Sequence, residues 1–575
     1  MSLPQEFSNQ NNLVISLMKF IEKLSKRGSS VALVKNKKTT WNLQKLFELS
    51  LLWVLAASIL LFSLGASWTN IQNIDIGLVS KRSLDEYAFT FVISRMYEGL
   101  QAMSPRNFFN ISFFSYGFPY FFLQMCLTIP AQNLHDYGAM LIIERSFSLS
   151  WAVGTLMLAA WWVRRRCGSW APALLTVWLL IAMPGFVRMA TTIHPDTMMN
   201  FFVVAGFIAA AELKLTRWRE IAAIGILCGL GACAKIQVAV YVPFIAALVG
   251  LRLLLSPDFI FGFSHRLLHA LIAAGSVGLV APLTYLILNP FLVHGEAFGA
   301  FVNDLNENIK SNATNHFTYV LPNEGDKINL IDHSYIPIAL IISATAVNFA
   351  IFFWRKRKIA VILPEFVILI CSLVTGLYVF VVVQKLWESY YLTSFTLFAI
   401  AFAASIGRIE AERAPCRFVI IFSLALALGL IAARTPSAIA SAVVDDGPSE
   451  RLSAPVVALI ADVQERVNIR QLLISPYTPL QFQKLGLRLT QIRFIARPLD
   501  ERQMKAADAI LLRKNDCYFD AALLANQTPQ GSEVRAARTM IDLIRTGKDS
   551  EFALCAESDD VLIFCRRSAY LNANS

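Results

Sequence analysis

Charge is what this sequence is short of. Only 16% of its 575 residues are Asp, Glu, Lys or Arg and 56% are hydrophobic, whereas soluble domains carry about 25% charge. That balance argues against a soluble enzyme, and it excludes disorder for the bulk of the chain, because disordered segments are poor in apolar residues. Nine Cys are scattered with no CxxC and no His/Cys spacing suited to zinc. The part after residue 435 has no GxGxxG and no P-loop, so no nucleotide site is expected there. No Arg/Lys-rich aromatic RNA-reading motif occurs, and nucleic acid is not expected as a partner. The polar, basic first 46 residues do not read as a cleavable signal peptide, and none is expected. No internal repeat relates two halves, which argues against the inverted-repeat transporters.

Long apolar runs take the place of charge. Mean hydropathy is +0.53. Apolar runs occur at 47–68, 113–130, 138–162, 171–187, 197–212, 221–234, 237–255, 267–288, 336–354, 360–384, 390–407 and 418–434. The formal net charge is +11, carried by Lys and Arg that gather at the ends of these runs. That is how a polytopic membrane protein marks its inner face. Residues 1–46 form a basic tail expected in the cytoplasm, and Arg164–Arg166, Lys214–Arg219, Arg252, Arg355–Lys358 and Arg408–Arg417 mark further inner ends. Threading the runs between these marks places outside the stretch 69–112, the turn 188–196, the surroundings of Lys235, the loop 289–335, the segment 385–389 and residues 435–575. Two runs lie between 69–110 and Arg164–Arg166, where parity allows one net crossing. Either run 113–130, with its aromatics, Gly117 and Pro119, lies in the interface, the reading favoured here, or Arg164–Arg166 break the rule. The fold class is an α-helical polytopic membrane protein of about 11–13 spans with a small C-terminal α/β extramembrane domain.

After residue 435 the pattern changes. Gln471–Ser475 and Thr490–Ala496 read as strands, Leu480–Leu485 as a short helix, and Ala507–Leu512 as a strand after a helix. Phe552–Ala556 and Val561–Cys565 read as a hairpin around Glu557–Asp560. On an oxidising side of the membrane Cys555 and Cys565 can pair.

The polar residues able to carry chemistry fall on the outer side of this threading, together with the C-terminal domain. Ser83 followed by Glu86 is a capping box that starts a helix, and both Asp85 and Glu86 complement the helix dipole there. Capping accounts for Glu86. It leaves Asp85 able to take a proton from a hydroxyl nucleophile. In His194-Pro195-Asp196 the Pro suits a helix start and Asp196 its first turn, which reads either as a capped hairpin or as a substrate contact. Arg82, Arg95, Arg188, Lys235 and Lys385 lie near the outer face. Lys235 interrupts an apolar run, so it either has a partner, such as a lipid phosphate, or snorkels to the interface. Arg145 follows Glu144 and can form a local ion pair with it. The loop 289–335 has the length of a lid, and its Glu296, Asp304, Glu307, His316, Asp326 and His333 lack metal-ligand spacing.

Taken together these residues resemble the GT-C glycosyltransferases, in the branch of the protein O-mannosyltransferases and lipid A aminoarabinose transferases, over roughly 45–410. The acidic pair of the first outer loop is matched by Asp85-Glu86, and the entry to the next span by Arg145-Ser-Phe-Ser. A basic span end followed by a Pro and a late Asp is matched by Arg164–Arg166, Pro184 and Asp196. Gly229-Leu-Gly-Ala-Cys-Ala-Lys235 and Asn289-Pro290 match two later elements. Two features depart from the family: a late-span Arg is replaced by Lys385, ahead of Tyr390 and Tyr391, and a Lys-Pro-Pro element is replaced by Gly117-Phe-Pro119.

The resemblance implies a GT-C-like membrane domain at 47–434 and a periplasmic accessory domain at 435–575. It implies transfer of a sugar from a polyprenyl-phosphate-linked donor to a glycan, lipid or protein hydroxyl, with inversion. Asp85 and Glu86 would be catalytic, and Arg82, Arg95, Arg145, Arg188, His194, Asp196, Lys235 and Lys385 would bind substrate. No cofactor and no resident metal is required, with a divalent cation as the open alternative. The implied location is the inner membrane, among its lipids. The competing reading is a lipid-linked glycan flippase or an envelope-assembly scaffold without catalysis.

Overall fold

A computed structural model describes residues 84–109, 116–256, 263–293, 295–314, 324–337, 341–342, 345, 359–384, 387–411, 417–442, 450–475, 478–495, 499–519, 524–525, 529–549 and 551–570. The basic tail 1–46, the run 47–68, Ser83, Arg82, His316, Lys385 and most of the run 336–354 lie outside the described residues.

Among the described residues sixteen helices have eight residues or more: α1 Leu84–Gln101, α2 Phe118–Asn133, α3 Tyr137–Cys167, α4 Trp170–Ile181, α5 Pro184–Thr191, α6 Pro195–Glu212, α7 Trp218–Ala232, α8 Val242–Leu254, α9 Phe263–Leu288, α10 Gly295–Thr314, α11 Glu324–Ser334, α12 Ile359–Val382, α13 Leu392–Ala411, α14 Arg417–Ala442, α15 Glu450–Gln464 and α16 Pro529–Arg545. Among the described residues five helices are long and apolar enough to cross a membrane: α3, Ile236–Leu254, α9, Ile362–Val382 and Glu388–Gly407. The pair α4 and α5 makes a sixth if counted as one bent span.

The run expected at 171–187 is thus broken. Met183 has extended backbone and Pro184 opens α5, as the clash of a Pro ring with the preceding residue requires, and the two helices meet at 73°. The run 113–130 becomes α2, whose 16 residues fall short of the about 20 that a straight span needs. Its Phe121, Gln124, Met125, Thr128, Ala131 and Gln132 are buried at helical spacing, on the face that packs against α1 and α3.

Small residues set the closest approaches. A Cβ on Gly229 of α7 would come within 2.4 Å of Thr284 on α9, and one on Gly117 within 2.4 Å of the Cys233 carbonyl. In the Gly-Leu-Gly element Gly229 therefore serves packing between α7 and α9, while Gly231 lies against Phe202 of α6 and Val238. The loop expected at 289–335 is not structureless: α10 and α11 lie within it. At its start Asn289 accepts a hydrogen bond from the Phe118 N–H at 2.7 Å and donates to the Tyr285 carbonyl at 2.6 Å. This stitches the start of α2 to the end of α9.

α14 runs past Thr435 to Ala442 with Pro436 inside it. Beyond it the C-terminal part is a five-stranded sheet of β1 Leu472–Ile474, β2 Ile492–Phe494, β3 Ala509–Arg513, β4 Phe552–Glu557 and β5 Val561–Arg566, in the order β2-β1-β3-β5-β4. β1 is parallel to both β2 and β3, and β5 is antiparallel to both β3 and β4. The predicted strands, the turn of helix at Phe482–Leu485 and the hairpin fall where expected, and Cys555 and Cys565 are joined by a disulfide. The domain docks on α1. Tyr87 donates its hydroxyl to the Ile492 carbonyl of edge strand β2 and lays its ring 4.0 Å from that of Phe494. Thr490 donates to Glu98 at 2.8 Å, and Tyr137 at the start of α3 packs on Phe482.

Candidate active site

The first turn of α1 carries Asp85 and Glu86, as the capping box predicts. Capping, however, is not the main employment of Glu86. Its carboxylate is fully buried and accepts Nε of Arg145 at 2.9 Å on one oxygen and an Nη of Arg145 at 2.7 Å on the other. The Ile193 N–H adds a third bond at 2.8 Å. Arg145 is therefore not the local partner of Glu144. The guanidinium fork matches a carboxylate bidentately, and helix packing brings Glu86 rather than Glu144 into that geometry. Glu144 instead takes the Thr90 hydroxyl at 2.5 Å.

The turn between α5 and α6 builds the second charged group. Pro195 is the first residue of α6 and Asp196 lies in its first turn, where the helix dipole favours a carboxylate. Lys235, in extended backbone after α7, reaches both oxygens of Asp196 at 3.1 and 2.9 Å. His194 places Nδ1 2.6 Å from Asp196 Oδ2. Lys235 is only 5% exposed, so it does not snorkel: its partner is a carboxylate, and its ammonium also stands 5.0 Å from the Tyr390 ring and 5.7 Å from that of Tyr116. The two groups adjoin through Ser148, which accepts the His194 N–H at 3.1 Å, and through Ile193.

Arg188 on α5 is more open, with 39% of its side chain exposed, and lies 3.6 Å from Glu388. Glu388 also accepts the Ser334 hydroxyl at 2.7 Å, and its backbone carbonyl accepts the Tyr335 hydroxyl. Sequence reasoning missed Glu388, although it stands three residues after Lys385 in the late-span element. Arg95 is not drawn into this cluster. It lies nine residues beyond Glu86 on α1, about 13 Å along the helix axis, within electrostatic reach of Arg493 of the C-terminal domain. Burial and Arg493 both pull the Arg95 guanidinium below its ordinary range. Arg82 and Lys385 lie outside the described residues. Among the described residues no group of three or more His, Cys, Asp or Glu side chains is placed to hold a metal ion.

The structure thus gathers Glu86, Arg145, His194, Asp196 and Lys235 from four separate stretches of chain, with Arg188 and Glu388 at α5 and the start of α13. The acidic groups and the cations alternate, which suits a polar substrate carrying a phosphate.

No protein-family model matches the sequence, and no curated protein matches it. Solved structures do. The chain is similar to ArnT from Cupriavidus metallidurans bound to undecaprenyl phosphate, with a TM-score of 0.52 and 12% identity over 90% of this chain and 97% of that one. It is also similar to the apo state of the same protein, with a TM-score of 0.51 and the same identity and coverage. The chain has the ArnT-like fold, the architecture expected from its resemblance to the GT-C glycosyltransferases.

Proposed function

We propose that this protein transfers a sugar from a polyprenyl-phosphate-linked donor to a hydroxyl of an envelope glycan, lipid or protein, at the outer face of the inner membrane. The observation that carries this reading is the buried cluster of Glu86–Arg145 and His194–Asp196–Lys235 in a fold shared with a protein solved with undecaprenyl phosphate. A buried cluster of fixed ions suits a substrate that brings its own phosphate.

In this reading Asp85 takes the proton of the acceptor hydroxyl. The acceptor oxygen attacks the anomeric carbon as the bond from that carbon to the phosphate oxygen breaks, and one displacement inverts the centre. Negative charge develops on the departing polyprenyl phosphate, and preorganised cations lower the barrier. Lys235 gives two of its three N–H groups to Asp196 and keeps one for the phosphate. Arg188 is a further cation of this face, and Arg82 and Lys385, read from the sequence alone, are assigned with it to the donor phosphate. Glu86 and Arg145 hold α1 against α3 and the 193 turn, which fixes the residue next to Asp85. No cofactor enters the step. The N-terminus would be cytoplasmic, and the C-terminal domain periplasmic, beside the acceptor entrance.

The test is whether purified protein releases undecaprenyl phosphate from a lipid-linked sugar in the presence of acceptor lipids or glycans. A mass shift in the envelope glycans of a deletion strain identifies the acceptor. Movement of the lipid-linked sugar across vesicles without its cleavage would instead favour the flippase reading.

A further inference from the structure

Between α1, α2 and α3 the protein buries polar groups that nothing among the described residues satisfies. The Tyr120 hydroxyl, both polar atoms of the Gln124 amide, Oε1 of Glu144 and the Tyr137 hydroxyl have no hydrogen-bond partner. Tyr120, Gln124 and Glu144 are each 0% exposed. The Tyr120 hydroxyl lies near Gln124 and Ser148 without forming a hydrogen bond of acceptable geometry. Native proteins pair almost all such atoms, and each exception calls for a ligand, an ordered water or a functional use. Apolar isosteres at these positions would be neutral or stabilising, so orphaned polar groups held in a fold are a stability sacrifice of the kind that binding sites make.

Their position says what they are for. Ser148, beside Tyr120, accepts the His194 N–H, and the Phe89 ring touches both Tyr120 and His194. The orphaned set therefore adjoins the His194–Asp196–Lys235 group assigned above to the phosphate end of the donor. It offers a phenol, a carboxamide that both donates and accepts, and a carboxyl. That mixture of donors and acceptors fits the vicinal hydroxyls of a sugar ring, whereas a lipid tail or a second phosphate would leave it unsatisfied.

We propose that Tyr120, Gln124 and Glu144 form the subsite that binds the sugar of the lipid-linked donor through its ring hydroxyls. This rests on the glycosyltransferase reading and extends it to the group being transferred. A sugar bound there supplies the missing hydrogen-bond partners.

The experiment uses full-length protein in detergent and follows thermal unfolding with undecaprenyl phosphate alone and with undecaprenyl phosphate carrying glucose, mannose or a pentose. The wild type should gain more from one of the sugar-bearing lipids than from the bare lipid. Tyr120→Phe and Gln124→Leu should fold at least as stably as wild type and keep the shift given by undecaprenyl phosphate. They should lose the increment that the sugar adds, with donor KM raised about tenfold, as loss of one well-made hydrogen bond to a buried group implies. Glu144→Gln should change which sugar gives the increment. If the increment is the same in wild type and all three variants, the orphaned groups hold only water and the proposal falls. A wild type that gains nothing from any sugar beyond the bare lipid also overturns it. Failure of the glycosyltransferase reading is separate: undecaprenyl phosphate would then give no shift either.

Discussion

Replacing Arg145 with Met tests the geometry of the site most severely. Glu86 is 0% exposed and the Arg145 side chain 6% exposed, so the pair is screened by almost no water. Two charge-assisted bonds, at 2.9 and 2.7 Å, neutralise the carboxylate. Met has similar length and no charge, so Arg145→Met takes both guanidinium bonds from a buried carboxylate that the Ile193 N–H also serves. Removing one partner of a buried ion pair costs about 3–5 kcal/mol, a large share of the about 5–15 kcal/mol that keeps a domain folded. The double variant Glu86→Gln with Arg145→Met removes both charges, and most of the loss should return. Unfolding of the four members of this cycle in detergent, by denaturant at fixed protein and detergent concentration, gives the coupling energy directly. The reasoning fails if Arg145→Met costs less than about 1 kcal/mol, which is the range of an exposed pair. It also fails if the double variant is no more stable than Arg145→Met.

Four further outcomes follow from the same geometry. Lys235→Met should lower the yield of folded protein as well as donor use, because it strands Asp196, and Asp196→Asn with Lys235→Met should restore yield without restoring turnover; size-exclusion profiles beside kinetics separate the two. Mass spectrometry of non-reduced peptides should find Cys555 linked to Cys565. Their separation of 10 residues makes the bridge worth about 2–3 kcal/mol by loop closure, so Cys565→Ser should lower the denaturant midpoint of the C-terminal domain. Burial pushes the Asp516 carboxyl above its ordinary range, against the opposing pull of Ser475 and Arg513; its contribution to stability is full below the unfolded value of about 3.9 and is lost as pH rises through the folded one. Asp516→Asn should therefore flatten that loss between acid and neutral pH in denaturant titrations of the intact chain.

The sequence made some features legible because their causes are local. The start of α1 is written in Ser83 and Glu86, the start of α6 in Pro195, and the strands of the C-terminal domain in short β-branched and aromatic runs between turns. The pairings were not legible, because partners are chosen by helix packing. Glu86 and Arg145 are 59 residues apart, and neither residue carries a sign that Glu144, adjacent to Arg145, would be passed over. Lys235 read as snorkelling or phosphate-bound for the same reason: Asp196, 39 residues away, becomes its neighbour only when α6 packs against α7. α10 was missable but not hidden. Phe298, Phe301, Val302, Leu305 and Ile309 recur at helical spacing, masked by the Asn and Gly among them. Glu388 had no signal apart from its place beside Lys385, and its link to Arg188 joins α5 to the start of α13 across 200 positions of sequence.

Tyr87 gives the C-terminal domain a part in this arrangement. It follows Asp85 and Glu86 directly, and its hydroxyl and ring are both spent on β2, so one face of α1 is held by the domain while Glu86 holds another against α3. The domain is thereby placed to steady the helix that carries the acidic pair.

The most direct measurement is release of undecaprenyl phosphate from an undecaprenyl-phosphate-linked sugar by purified wild type, Asp85→Asn and Glu86→Gln at matched amounts of folded protein. Transfer by Asp85→Asn should fall by at least about 100-fold, the lower end of what general-base catalysis contributes, with folding intact. Glu86→Gln should lose stability through Arg145 while the fraction that stays folded keeps more activity than Asp85→Asn. Full activity in Asp85→Asn beside a dead but folded Glu86→Gln would exchange the two roles. Full activity in both, or no release by the wild type, would contradict the account.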